Sequence, residues 1–363
     1  MNSSSPDSTP AASAFHAGIV CIVGRANTGK SSFLNAALGE KVAAVSPVAQ
    51  TTRRTTRGIY NAPSLQMVFL DTPGIRHATH RLGALLNRNA RAQVAGSDVV
   101  CLLLDASLPP QDEDIGWMRK LARDPIPVFA LLNKTDLPHR DAPYRAAWAA
   151  VVDDLRARDA AYVPPPIDWF PVSALTGEGL PELLDALSMR MPAAAPLFDP
   201  DVLTDDPLPF FIADIIRAHF NEHLRKELPH AIAIAVDALG PAPASDVPPP
   251  PADDAPPADA EAPPPAPPEA ESPETSDNAP LPSPAPAASS VLHVSATIYV
   301  EKATQRPILL GHKGRLLRSV RIASERELHD ILGTPCKLAL WIKVEPDWSK
   351  NYWILKKLGY VGS

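Results

Sequence analysis

The stretch that most constrains this chain of 363 residues is the run GRANTGKS at residues 24–31. Its two glycines and its Lys-Ser pair have the spacing of a phosphate-binding loop, in which backbone N–H groups turn inward around an anion. Residues 17–23 are apolar enough for a buried strand, and the residues from Ser31 onward have the pattern of a helix. Strand, glycine loop and helix therefore follow one another in the required order.

The chemistry of such a loop assigns a task to each residue type. Lys30 would reach the β- and γ-phosphate oxygens, and the Ser31 hydroxyl would ligate Mg²⁺. We expect the whole loop to contact the nucleotide, which makes the candidates Gly24, Arg25, Ala26, Asn27, Thr28, Gly29, Lys30, Ser31 and Ser32.

Composition excludes several other classes of protein. The formal net charge is −7, but residues 241–290 hold nine Asp or Glu and no Lys or Arg, so the rest of the chain is slightly basic. The three cysteines are widely spaced, and no disulfide framework or metal-ligand spacing is visible. Residues 1–15 make a poor signal peptide, and no apolar run has the length of a membrane span. We expect a soluble, cytoplasmic monomer.

From residue 16 to residue 191, apolar strand-like runs alternate with helical patterns. This alternation predicts an α/β domain with a mostly parallel sheet and helices on both faces. The predicted strands are residues 18–23, 65–71, 99–105, 128–133 and 168–172, and the predicted helices are residues 83–95, 112–122, 144–158 and 181–191. Ligands of such sheets bind at the carboxyl ends of the strands.

A second folded unit follows a Pro/Asp-rich linker at residues 192–209. Residues 210–363 read as helix, strand, strand, short helix, glycine turn, helix and strand, which predicts a small α+β domain. Its first two strands form a hairpin interrupted by residues 239–290, almost entirely Pro, Ala, Ser and acids and therefore predicted to be disordered, like residues 1–15. The insertion is either a partner-docking arm or an inert, self-repelling loop.

Two polar stretches complete the predicted phosphate site. Asp71-Thr72-Pro73-Gly74 closes a predicted strand, where the carboxylate can hold Mg²⁺ through water and the Gly74 N–H can meet a γ-phosphate. Residues 49–56 are polar and unlike a core element. We expect Thr52 there, with Thr51 as the alternative, to ligate Mg²⁺ and reach the γ-phosphate when the segment orders.

The motif Asn133-Lys134-Thr135-Asp136 predicts which base is bound. One carboxylate, that of Asp136, can accept hydrogen bonds from both N1–H and the N2 amino group of guanine, which adenine does not offer. Asn133 would brace the loop or bind the purine N7, and the Lys134 stem would cover the base. Ser173-Ala174 can aim a backbone N–H at guanine O6. GTP and GDP are therefore the expected ligands.

Residue 75, which follows the Asp71–Gly74 motif, is isoleucine, and an aliphatic side chain cannot orient the attacking water. Hydrolysis then needs another source of positive charge. We hypothesise that K⁺, ligated partly by the Asn27 carbonyl oxygen, supplies it. The predicted catalytic residues are Asn27, Lys30, Thr52 and Gly74.

A second motif indicates a nucleic-acid site. Gly311-His312-Lys313-Gly314 precedes a basic helix that carries Arg315 and Arg318, and residues 291–363 hold twelve Lys or Arg against six acids. Two glycines around a basic pair let an RNA backbone approach a helix N-terminus closely. We expect all six of these residues to contact RNA, as in the GXXG loop of KH domains.

These motifs together resemble the Era family of bacterial GTPases along nearly the whole folded length. Further matches are Gln50-Thr51-Thr52-Arg53, Val172-Ser173-Ala174, Leu340-Trp341-Ile342-Lys343-Val344 and Leu358-Gly359-Tyr360. The resemblance implies a type II KH domain, GTP-dependent binding to small-subunit ribosomal RNA near its 3′ end, and assembly of the 30S subunit. It also implies a hydrophobic residue at position 75 and a peripheral association with the inner membrane.

The chain departs from the family in three places. Ala26 and Thr28 replace the Pro and Val common in the phosphate loop, and the insertion is foreign to the pattern. The linker keeps acids and Phe210 but lacks the family's arginine, so it supplies no arginine for an interdomain salt bridge. Two alternatives stay open at this point: an RNA-binding factor that uses GTP structurally, and a tRNA-modification GTPase.

Overall fold

A computed structural model of the chain describes residues 15–46, 53–74, 81–224, 228–241 and 291–361. Three residues named in the sequence analysis, Thr51, Thr52 and Ile75, lie outside these ranges. The two segments predicted to be disordered also lie outside them, except for residue 15 and residues 239–241. The strands are β1 His16–Gly24, β2 Thr56–Ala62, β3 Leu65–Asp71, β4 Val99–Asp105, β5 Val128–Asn133, β6 Ile167–Val172, β7 Ile232–Gly240, β8 Leu292–Val300 and β9 Cys336–Val344. The helices are α1 Lys30–Leu38, α2 Arg81–Val94, α3 Asp112–Leu121, α4 Ala142–Arg158, α5 Leu180–Ser188, α6 Leu208–His223, α7 Leu228–Ala231, α8 Arg306–Leu310, α9 Arg315–Leu332 and α10 Tyr352–Lys357.

The first six strands form one sheet in the order β2-β3-β1-β4-β5-β6. All neighbours are parallel except β2, which runs antiparallel to β3. The central strands are continuous apolar runs because both faces are covered: alternate residues of β1 point into two separate cores, each shared with helices. The prediction of a mostly parallel sheet is confirmed.

Strand β2 was missed in the sequence. Its sequence, TRGIYNA, lacks a continuous apolar run, although Thr56, Gly58 and Ile59 are buried; β2 lies at the edge of the sheet. The predicted linker covers this edge: Ile59 N–H donates to Leu203 O at 2.8 Å, and Asn61 Nδ2 donates to Pro200 O at 2.8 Å. Residues 197–205 are thus held against the first sheet.

The second sheet has the order β7-β8-β9, with β7 and β8 antiparallel and β9 parallel to β8. Helices α6, α8 and α9 pack on one face, and α10 with Trp348 packs on the other. The insertion falls between β7 and β8, as predicted for an interrupted hairpin. Helix α10 was not predicted. Within the described residues, no helix is both long and apolar enough to cross a membrane.

Two consecutive arginines, which precede β2, connect the two folded units. Arg53 is 2 % exposed, and its guanidinium donates to Ile232 O at 2.7 Å and to Pro229 O at 2.8 Å. Arg54 pairs with both carboxylate oxygens of Asp206, at 2.7 and 2.9 Å. The arginine that the linker lacks is therefore supplied by residue 54 of the first unit, which pairs with the linker.

Arg54 also has contacts beyond this ion pair. Its guanidinium lies 4.4 Å from the ring centroid of Phe210, and one of its nitrogens is 3.6 Å from Asp214. Both carboxylates around it are largely buried. Removal of the arginine would leave two acids without this partner, in a place where water screens them poorly.

We expect Arg54→Ala to lower the free energy of unfolding by about 3 kcal/mol. The matched control is Arg57→Ala, because Arg57 pairs with Asp205 but its side chain is 51 % exposed; this change should lower stability by less than about 1 kcal/mol. Thermal unfolding of both variants measures the difference. Equal losses would contradict the interface described above.

Candidate functional site

Two glycines of the phosphate loop have positive φ and no room for a side chain. Gly24, the last residue of β1, has φ 149°, and a Cβ there would lie 2.4 Å from Leu103 O. Gly29 has φ 96°, and a Cβ there would lie 2.4 Å from Asn133 Nδ2. The loop can therefore pass close to both neighbouring strands only because these residues are glycines.

Lys30 is the first residue of α1 and is only 6 % exposed. Its ammonium donates to Arg25 O at 2.8 Å, and the Thr28 hydroxyl donates to the same carbonyl at 3.0 Å. Burial lowers the pKa of Lys30 to about 8. A buried ammonium of this kind is stabilised by an anion, and a phosphate group at the loop would provide one.

Oxygen ligands for a divalent cation lie beside Lys30. Ser31 Oγ donates to Asp71 Oδ2 at 2.6 Å, so a hydroxyl and a carboxylate meet at the phosphate loop. Mg²⁺ prefers such ligands, and the pair therefore fits the metal that the sequence predicts. Thr72 Oγ1 donates to Ile22 O at 2.7 Å and anchors the turn that follows Asp71. Thr52, the third predicted ligand, lies outside the described residues.

Gly74 lies against the phosphate loop. A Cβ on Gly74 would be 2.7 Å from the Ala26 Cα and 3.0 Å from Lys30 Nζ, with Pro73 buried beside it. The pocket that these residues line also includes the end of the segment after α1. Its lining residues are Ala26, Asn27, Gly29, Lys30, Ser31, Ser32, Ala44, Val45, Ser46 and Gly74.

Asn27 lines the same pocket and has the left-handed φ of 64°. Its side-chain amide carries a carbonyl oxygen, which is a ligand that fits a monovalent cation next to phosphate oxygens. The contact of Asn27 with K⁺ stays a prediction.

The guanine motif is assembled from the ends of β5 and β6. The buried Asn133 amide donates to Thr28 O at 2.7 Å, and its oxygen accepts from the Ala174 N–H at 2.9 Å. Asp136 Oδ1 accepts from Ser173 Oγ at 2.6 Å, which leaves its other oxygen for a base. Asn133 thus braces the loops, one of the two roles predicted for it.

The amides of Ser173 and Ala174 both have protein acceptors. Ser173 N–H donates to Glu178 O at 2.9 Å, and Ala174 N–H donates to Asn133 Oδ1 at 2.9 Å. Both residues hold the motif, because the Ser173 hydroxyl orients Asp136 and the Ala174 amide orients Asn133. The contact of one of these amides with guanine O6 stays a prediction.

Sequence reasoning missed Asp105, the last residue of β4. It is 3 % exposed, and its Oδ2 lies 2.6 Å from the ammonium of Lys134. The sequence could have identified Asp105 as a candidate site residue, because it ends a predicted parallel strand at the same edge of the sheet as the other motifs.

The GXXG motif lies at the start of α9. Residues 312–314 form a single 3₁₀ turn, and Gly311, Lys313 and Gly314 have φ of 68°, 53° and 72°. Nothing lies within 4 Å of a Cβ placed on Gly314, so a ligand can approach its backbone. All four basic residues predicted to contact RNA are exposed: His312, Lys313, Arg315 and Arg318.

Apolar side chains flank this basic surface. Ile308 on α8 is 51 % exposed, and Ile322 on α9 is 49 % exposed. Exposed aliphatic residues beside exposed arginines are suited to bases on one side and phosphates on the other. The structure thus brings together every described residue of the predicted RNA site.

Fold and site define a class: a P-loop GTPase domain followed by a KH domain. Family models agree, since one described as 50S ribosome-binding GTPase matches residues 19–134 and a KH domain model matches residues 285–349. GTPase Era of Geotalea uraniireducens is 30 % identical over 346 residues, which cover 95 % of this chain and 98 % of that protein. GTPase Era of Geobacter metallireducens is 32 % identical with the same coverage. The chain belongs to the Era GTPase family.

Solved structures give the same result. A crystal structure of Era in complex with MgGDPNP and nucleotides 1506–1542 of 16S ribosomal RNA matches with a TM-score of 0.72 and 28 % identity. An Aquifex aeolicus Era variant bound to GDP and AlF₄⁻ matches with a TM-score of 0.71 and 28 % identity. Both matches cover 96 % of this chain and 100 % of the solved one. The chain is therefore a GTPase with a KH domain.

We expect Gly29→Ala to weaken GDP binding at least 100-fold, because the new Cβ would collide with the Asn133 amide, which is fixed by two hydrogen bonds. Titration with a fluorescent GDP analogue measures the affinity. Gly39→Ala is the matched control: φ is 70° there, but nothing lies within 4 Å of the added Cβ. It should cost about 1 kcal/mol of stability and leave GDP affinity intact. Equal affinities for the two variants would contradict the steric explanation.

Proposed function

We propose that this protein is a GTP-hydrolysing switch that binds small-subunit ribosomal RNA near its 3′ end and acts in assembly of the 30S subunit. One observation carries the proposal: a guanine-nucleotide pocket and an exposed GXXG surface occur in the same chain. The solved Era complex with MgGDPNP and 16S RNA supports it, because that protein binds both kinds of ligand.

At the nucleotide, the proposed tasks follow the contacts. Lys30 and the amides of residues 24–32 hold the phosphates, while Asp136 accepts the two hydrogen bonds of guanine. Ser31 and Asp71 would hold Mg²⁺ together with Thr52, and the metal would neutralise charge on the β- and γ-phosphates. The Gly74 N–H would meet the γ-phosphate. The aliphatic side chain of Ile75 cannot orient the attacking water. K⁺ at Asn27 is therefore the proposed source of additional positive charge.

At the RNA, the backbone of Gly311 and Gly314 would face phosphates. Lys313, Arg315 and Arg318 add positive charge, and none of the three forms an ion pair among the described residues. His312 is exposed in the same turn and is proposed to contact RNA without a catalytic role.

The two sites are joined through the segment between α1 and β2. Ala44 lines the nucleotide pocket and is buried in the core of the second domain. Lys41 Nζ lies 2.5 Å from Glu327 Oε1 on α9. The Arg53 guanidinium donates hydrogen bonds to backbone carbonyls at and just before the start of β7. Nucleotide state and domain docking are therefore proposed to be coupled.

We propose a domain division at residues 16–191, 192–209 and 210–363, a monomer in solution, and action in the cytoplasm at the ribosomal subunit. Peripheral association with the inner membrane is an expectation of the family resemblance alone.

We expect the double substitution Lys313→Glu and Arg315→Glu to weaken binding to an RNA of the 16S 3′ end by about 100-fold, because two phosphate contacts are lost and repulsion is introduced. The control Lys350→Glu changes an exposed lysine of the same domain, and affinity should change less than threefold. Fluorescence anisotropy with GTP analogue or GDP bound gives both values. Equal loss in the two proteins would assign RNA binding to overall charge rather than to the GXXG surface.

We expect GTP hydrolysis to be about tenfold faster in K⁺ than in Na⁺, and Asn27→Gly to remove this difference. Glycine tolerates the φ of 64° at this position, so the substitution removes the side-chain ligand and keeps the backbone conformation. The comparison uses kcat of wild type, Asn27→Ala and Asn27→Gly in both salts. Equal rates in all conditions would exclude the K⁺ hypothesis.

A further inference from the structure

Asp105 is a buried carboxylate to which neither the sequence nor the family assignment gives a task. It ends β4, between the phosphate loop on β1 and the guanine motif on β5. Tyr144 donates to its backbone carbonyl at 2.8 Å, and Ser107 Oγ donates to its Oδ1 at 2.5 Å. These two hydrogen bonds hold the carboxylate in position independently of its contacts with ligand-binding residues.

The second carboxylate oxygen faces two cations from different motifs. Lys134 Nζ of the guanine motif lies 2.6 Å from Asp105 Oδ2, and Arg25 Nη2 of the phosphate loop lies 4.0 Å from the same oxygen. Arg25 Nε is also 3.4 Å from the buried Asp114 Oδ2. Burial disfavours the charged form of Asp105, but hydrogen bonds from Lys134 and Ser107 outweigh it and keep the pKa below its usual value.

The backbone of Lys134 is strained where its side chain begins. Its φ is 71°, a conformation that costs a side-chain-bearing residue about 1 kcal/mol or more. The stem of Lys134 is proposed to cover the base, so the direction of the side chain matters for binding. A fixed carboxylate at the end of that side chain sets its direction.

We propose that Asp105 is a positioning residue for the nucleotide, which holds the Lys134 side chain across the base site. Asp105 touches no reacting atom in this arrangement. Its effect should therefore fall on nucleotide affinity and residence time, with kcat unchanged. The inference rests on the proposed role of Lys134.

The test is a double-mutant cycle of Asp105→Asn and Lys134→Ala. Asparagine keeps the shape and can still accept from Ser107, but it lacks the charge. We expect each single variant to release a fluorescent GDP analogue about tenfold faster, as for loss of one charge-assisted hydrogen bond. The double variant should release GDP no faster than Lys134→Ala alone, because Asp105 acts through Lys134.

Asp124→Asn is the control, since Asp124 pairs with Lys120 at a partly exposed site away from the pocket. It should leave GDP release unchanged, and thermal unfolding of all variants checks that they fold. Additive effects of Asp105→Asn and Lys134→Ala, or a fall in kcat with unchanged GDP release, would overturn the positioning role of Asp105. The proposed role of Lys134 would not be affected by either result. Unchanged GDP release in Lys134→Ala would overturn both this inference and the proposed role of Lys134.

Discussion

The nucleotide site depends on the side chain of Asn133. Its amide donates to the phosphate loop at Thr28 O and accepts from the loop after β6 at Ala174 N. At 2 % exposure, water cannot replace either hydrogen bond, so both must be present in the folded state. One buried amide therefore fixes the distance between phosphate binding and base recognition, and it explains why position 29 has no side chain.

Backbone strain is concentrated where ligands are expected. Among the described residues, four without the freedom of glycine have positive φ: Asn27, Lys134, Lys313 and Asp347. The first three lie in the phosphate loop, the guanine motif and the GXXG turn. Conformations of this kind persist only where the surroundings impose them. The side chain of Lys134 is held by Asp105, while Lys313 is followed directly by Gly314, which also has left-handed backbone angles.

Much of this architecture was predictable because parallel strands are read directly from apolar runs. β1, β3, β4 and β5 are buried on both faces, so their sequences are continuous and their ends locate the site. Strand β2 escaped prediction because an edge strand needs few apolar residues. The contacts of Arg53 and Arg54 escaped prediction as well, because hydrogen bonds and ion pairs between distant segments leave no periodic pattern in either segment.

The linker is a second case in which the sequence did not predict a contact between distant segments. The linker supplies no arginine for an ion pair, but the interface needs only one arginine beside Asp206, and residue 54 supplies it. Local motifs report which chemistry a loop can perform. They do not report which side of an interface carries each charge, since the two arrangements are electrostatically equivalent.

The position of the segment between α1 and β2 has a thermodynamic consequence. Its described ends contact the second domain at Lys41, Ala44 and Arg53, and Ala44 also lines the nucleotide pocket. If nucleotide binding favours one arrangement of this segment, it favours one docking of the KH domain by the same free energy. Linkage then requires RNA that selects this docking to strengthen nucleotide binding equally. The strength of the switch is therefore set by how differently these contacts are made in the two docked states, because a contact kept in both contributes nothing to the coupling.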